Sequence, residues 1–122
     1  MMNKCFEQNF HHFLVIERHP VVSLDLKGAL TAEYPQATVT ICMTRAHAED
    51  TLRAADGPLC VLINGDLITD TVSGLLRDCV ANGGRVICFG AVRDLNFPVE
   101  VVQIPFNSKM ISAAVSGVSA EG

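Results

Sequence analysis

The sequence has no tryptophan, a single tyrosine and no two cysteines at CxxC spacing. Scarce aromatics leave an aliphatic core, drawn from a chain that is 49% hydrophobic. The missing CxxC pairs, with an odd count of five cysteines, argue against a zinc site or a disulfide framework. Reduced thiols within apolar stretches are expected instead. Basic residues are also few: nine Lys and Arg against 13 Asp and Glu, a net charge of −4. No basic field exists to release counterions from nucleic-acid phosphates, so nucleic acid is excluded as a direct partner. No apolar run approaches the roughly 20 residues that span a bilayer. Residues 1–12 lack the hydrophobic segment of a signal peptide. A soluble, cytoplasmic protein is expected. Repeats, linkers and low-complexity segments are absent too, so 122 residues read as one domain at 13–118. A flexible lead-in of residues 1–12 precedes it and a frayed tail of residues 119–122 follows.

What is present is organised around Cys60-Val61-Leu62-Ile63-Asn64-Gly65-Asp66. A short apolar run rises from Pro58 and breaks on Asn-Gly-Asp. Such a run, flanked by breakers, reads as a strand buried on both faces. Asn64 then stands at the carboxyl end of a central parallel strand, where ligands gather in open α/β sheets. Asn-Gly between apolar residues also signals a two-residue hairpin, pairing residues 61–63 with 66–68. The strand-end reading is preferred, because the second run is short and soon meets a helix start at Thr69-Asp70-Thr71.

The other elements follow from periodicity and punctuation. Residues 13–16, Phe-Leu-Val-Ile, read as a first buried strand. Pro20 can open a helix whose apolar face runs through Val22, Leu26, Ala29 and Leu30, with Pro35 as its stop. Residues 38–43 alternate at their start, like a half-buried strand. Thr44 can cap a helix carrying Ala48, Leu52 and Ala55, with Gly57 at its end. Asp70 or Thr71 can cap a third helix bearing Val72, Leu75, Leu76, Cys79 and Val80, ended by Asn82-Gly83-Gly84. Residues 85–89 form a fourth strand that breaks at Gly90. Residues 91–98 lack helical period. Residues 99–104 read as a fifth strand, and Asn107 or Ser108 caps a last helix through Met110, Ile111, Ala114, Val115 and Val118.

Strands alternating with helices imply a parallel sheet. The first, third and fourth strands are continuous apolar runs and should be central; the second and fifth carry polar residues and should be edges. That gives a doubly wound, flavodoxin-like five-stranded sheet of order 2-1-3-4-5, with the fourth helix shortened or absent.

From Phe13 onward the chain resembles the receiver domain of two-component response regulators. Leu14-Val15-Ile16-Glu17-Arg18-His19-Pro20 looks like that family's first strand, acidic pair and His-Pro. Val61-Leu62-Ile63-Asn64 looks like the strand that ends on the phosphoacceptor. Phe89-Gly90-Ala91 sits where the family has a hydroxyl residue before Ala, and Ile104-Pro105-Phe106 where it has Lys-Pro-Phe. The resemblance implies a phosphoacceptor pocket, and most of its parts are substituted. The acidic pair is Glu17 and Arg18, the acceptor aspartate is Asn64, the switch hydroxyl is Gly90 and the phosphate-pairing lysine is Ile104.

An amide oxygen is a poor nucleophile for phosphoryl transfer. Mg²⁺ wants hard, anionic oxygen ligands, of which Glu17 alone remains. Ile104 and Gly90 supply neither cation nor donor to a developing phosphoryl charge. No catalytic residue, metal or cofactor is therefore expected, and Glu17 or Arg18 should pair across the crevice, filling the metal position with positive charge. Asp66 as a displaced acceptor, a deamidated Asn64, or a small-molecule crevice at Glu17, Asn64 and Gly90 are the alternatives. His19 reads as a turn residue, His11 and His12 as part of a solvated terminus, and Cys60 and Cys88 as core thiols. The function expected is that of a stand-alone, non-phosphorylatable pseudo-receiver: no enzyme, but an interaction module in bacterial signal transduction, docking to a protein partner or to itself as a homodimer.

Overall fold

A computed structural model of the protein describes residues 10–90, 95, 99–102 and 115, with backbone alone at 100 and 102. The elements are β1 (His12–Ile16), α1 (Pro20–Glu33), β2 (Thr38–Cys42), α2 (Arg45–Ala54), β3 (Cys60–Asn64), a 3-10 turn (Gly65–Leu67), α3 (Asp70–Ala81), β4 (Arg85–Phe89) and β5 (Glu100–Val102). The five strands form one sheet of order β2-β1-β3-β4-β5, and every pair is parallel. Composition explains the order. The apolar runs of β1, β3 and β4 occupy the middle, covered on both faces, and the polar Thr38 and Thr40 of β2 lie at an edge.

Alternation along the strands divides the core. Leu14, Ile16, Val61, Ile63, Val86 and Cys88 face Leu52 of α2 and Val72 and Leu76 of α3. Phe13, Val15, Leu62, Ile87 and Phe89 face Leu26 and Leu30 of α1. Successive strand side chains point to opposite faces, so one run of apolar residues serves two helical layers. The result is a three-layer α/β sandwich.

The connections show where local chemistry acted. Pro20 stands at the first turn of α1, where its missing N–H costs no hydrogen bond. Thr44 caps α2 by accepting from His47 N at 3.1 Å. The cap of α3 is Thr69, not Asp70 or Thr71: its Oγ1 accepts from Val72 N at 3.2 Å. A cap bonds the amide two or three positions on, and that places it one residue earlier than expected. α3 closes on a Schellman motif, with Gly83 N donating to Val80 O and Gly84 N to Cys79 O. Gly83 supplies the left-handed residue, at φ +93°. α2 ends differently from expectation: it stops at Ala54 with Ala55 extended, and Gly57 is not its cap.

Asn64-Gly65 does not form a hairpin. β3 pairs in parallel with β1 and β4, and residues 65–67 make a single 3-10 turn. β1 begins at His12, and Phe10 is buried against Phe13. Val115 is helical and buried on the α1 face. The shortened fourth helix, the remainder of the last helix and Ile104 fall outside the described residues.

Candidate functional site

The carboxyl ends of β1, β3 and β4 converge where the sequence places its altered pocket. Glu17 follows β1 directly, and its amide continues the sheet by donating to Cys42 O at 3.1 Å. That bond turns its side chain inward, and Glu17 is only 1% exposed. A buried carboxyl needs a partner for each oxygen. Oε2 accepts from His19 N at 2.9 Å, and Oε1 accepts from Asn64 Nδ2 at 2.8 Å. Ser23, also buried, donates its hydroxyl to Glu17 O at 3.2 Å and ties the first turn of α1 to the strand end.

Asn64 is bonded at both ends of its amide. Nδ2 meets Glu17, and Oδ1 accepts from Asp66 N at 2.9 Å, capping the 3-10 turn. This is the Asx turn that Asn favours at a strand end. The orientation is dictated by its neighbours: flipped, the amide would set oxygen against carboxyl oxygen and N–H against N–H. The amide thus bridges β1 to the loop after β3, across 47 residues of sequence.

Gly90 closes the third side. Its φ is +73°, and a Cβ there would lie 3.0 Å from Asn64 Oδ1 and 3.3 Å from Asn64 Cγ. A side chain at this position would therefore meet the asparagine amide. Glu17, Asn64 and Gly90 are brought together, as the sequence placed them. Arg18 is not part of the cluster: it is exposed and has no ion pair among the described residues. What Glu17 meets across the crevice is a neutral amide, so the expected filling by positive charge is not what these residues form. Asp66 is exposed in the turn beyond the strand end. Its backbone N–H, like that of His19, is the functional group in this cluster. The Asp66 amide is what an asparagine at a strand end, capping the following loop, would bind, and Asn-Gly-Asp carries that Asx-turn signal; nothing in the sequence marks the His19 amide.

The donor set does not fit Mg²⁺. The ion takes near-octahedral oxygen ligands, several of them anionic. Here one carboxyl is present, both its oxygens accept N–H bonds, and the group facing it is itself a donor. No group of three His, Cys, Asp or Glu able to hold a metal exists among the described residues. Burial pushes the thiol of Cys60 far above its ordinary range, and those of Cys42 and Cys79 upward, so none is an activated thiolate.

No family model matches the chain, and no curated protein matches it at a significant level. Solved structures do. The fold is similar to a response regulator receiver protein from Sinorhizobium medicae WSM419, at 17% identity and a TM-score of 0.72, over 89% of this chain and 94% of that one. It is similar to a response regulator receiver domain protein from Clostridium thermocellum, at 14% identity and a TM-score of 0.70, over 88% and 93%. It also resembles the anti-anti-sigma factor PhyR from Bartonella quintana, at 20% identity and a TM-score of 0.61. That match covers 93% of this chain and 49% of PhyR, so the chain spans about half of PhyR's length. Together with the parallel 2-1-3-4-5 sheet, these likenesses show that the chain has the receiver fold.

Proposed function

We propose that the chain is a pseudo-receiver: an interaction module of a bacterial signalling pathway that docks to a protein partner without being phosphorylated. The observation that carries this reading is the hydrogen bond from Asn64 Nδ2 to the buried Glu17. In a receiver fold this crevice is where an acidic cluster would hold a cation and accept a phosphoryl group. Here the amide satisfies the one remaining acid, offers no nucleophile and fills the space beside Gly90. A fold held in one state by its own hydrogen bonds can present a constant surface, which suits a scaffold.

The test has two arms. After incubation with acetyl phosphate and Mg²⁺, intact mass should show no phosphoryl adduct. As bait in a lysate of the source organism, the protein should retain the same specific partner with and without the phosphodonor. An adduct at Asp66, or capture that appears only after phosphodonor treatment, would mark an atypical but working receiver and overturn the proposal.

A further inference from the structure

A cavity of about 660 Å³ opens at the amino ends of β1 and β3, the end of the sheet opposite Glu17 and Asn64. Its size falls within the roughly 300–1,000 Å³ of small-molecule sites. Phe10, Pro58 and Leu59 give it an apolar floor, and Asp50 and Asp56 stand on its wall. No lysine or arginine lines it, and neither aspartate has an ion pair among the described residues. The remaining polar side chains on its wall are Thr51, His12 and the exposed His11. Thr51 Oγ1 donates to His47 O, and His12 Nε2 is bonded to Thr40 Oγ1.

A second observation points the same way. The last turn of α2 forms one side of this cavity. α1 and α3 each end on a backbone hydrogen bond back into the helix, whereas α2 ends at Ala54 without one. No backbone donor outside the helix reaches its last carbonyls among the described residues. A helix end with open carbonyls carries partial negative charge, here offset in part by Arg53 in the last turn, whose guanidinium pairs with Glu49 at 3.6 Å. Two unpaired carboxylates and a negative helix end therefore surround an apolar floor.

We propose that this cavity binds a small organic cation, an ammonium or guanidinium carried on an aromatic or aliphatic body. The body covers Phe10 and Leu59, and the charged head lies among Asp50, Asp56 and the end of α2. An anionic ligand of the same shape is repelled, and a neutral one lacks the charge that orients it. The site is separate from the crevice at Asn64 and does not depend on the role proposed for it.

The full chain is titrated with phenethylammonium, with its neutral analogue phenethyl alcohol and with the anion hydrocinnamate, while backbone amide NMR shifts are followed. Phenethylammonium should give saturable shifts at His11, Asp56 and Gly57, with a roughly millimolar Kd. Asp56→Asn and Asp50→Asn should each weaken it about threefold, the usual scale of a solvent-facing charge contact. Both variants are checked for an otherwise unchanged amide spectrum. An equal response to the alcohol, or undiminished binding in both variants, would overturn the proposal. So would the lack of any saturable response.

Discussion

At the scale of single residues, the account turns on Asn64 and what its amide does to two neighbours. Asn64→Asp would replace a donor by a carboxylate 2.8 Å from Glu17 Oε1. Two carboxyls in contact can share one proton but resist ionising together. The folded variant then holds a proton that the unfolded chain releases near pH 4. The folded state binds more protons in that window, so stability falls as pH rises from about 4 to neutrality and returns on acidification. Thermal unfolding across this range should show Asn64→Asp about 2 kcal/mol less stable than the parent at neutral pH, with the gap closing at low pH. A gap independent of pH would mean that the two side chains do not touch. Gly90 is the second neighbour. Gly90→Ala meets a left-handed φ and a 3.0 Å approach to Asn64 Oδ1, and should lose about 1–3 kcal/mol in denaturant unfolding. Repeated in an Asn64→Ala background, the loss should shrink to the φ cost alone, about 1 kcal/mol. An undiminished loss would remove the steric part of the argument.

At the scale of elements, glycines mark where backbone geometry is tight and where it is free. Gly84 joins α3 to β4, and a Cβ there would stand 2.6 Å from Leu59 O and 2.8 Å from Cys79 O. Leu59 O receives Arg85 N and Cys79 O receives Gly84 N, so neither oxygen can retreat without breaking the bonds that dock β4. Gly84→Ala should cost more than about 3 kcal/mol. Gly28, in the middle of α1, has nothing within 4 Å of a Cβ, and Gly28→Ala should stabilise by about 0.5–1 kcal/mol. Denaturant midpoints of the two variants should therefore move in opposite directions, and a shift of both the same way would contradict the packing described. These elements were largely legible in the sequence. Val61-Leu62-Ile63 announced a strand covered on both faces, and Asn82-Gly83-Gly84 announced the end of α3. The cap of α3 was not, because Thr69, Asp70 and Thr71 are all competent caps and only the position of Val72 N selects Thr69. Gly57 misled for a related reason: the chain leaves α2 extended at Ala55, so no left-handed residue is needed there.

At the scale of the whole molecule, the strand order could be read from which runs were purely apolar, since only central strands of a parallel sheet need both faces covered. The pocket could be read as a set of substitutions on a resemblance. How those residues meet could not. Periodicity places Glu17, Asn64 and Gly90 at strand ends but does not say that a buried carboxyl will accept from a strand-end amide, or that Arg18 will stay outside. Two of the bonds that close the cluster come from the backbone amides of His19 and Asp66, and only the second is announced, by the Asx-turn signal of Asn-Gly-Asp. The same sheet sets the crevice at one end of the strands and an open, acidic cavity at the other, so the two can be tested independently. The central claim is that the Asn64 amide already does for Glu17 what a cation would otherwise do. The most direct measurement is a titration of the native chain with Mg²⁺, then with Mg²⁺ and beryllofluoride, read at the backbone amides of Glu17, Asn64, Asp66 and Gly90. The account predicts that none of these four shifts in a saturable way. Saturation at any two of them with Mg²⁺ or beryllofluoride would contradict it.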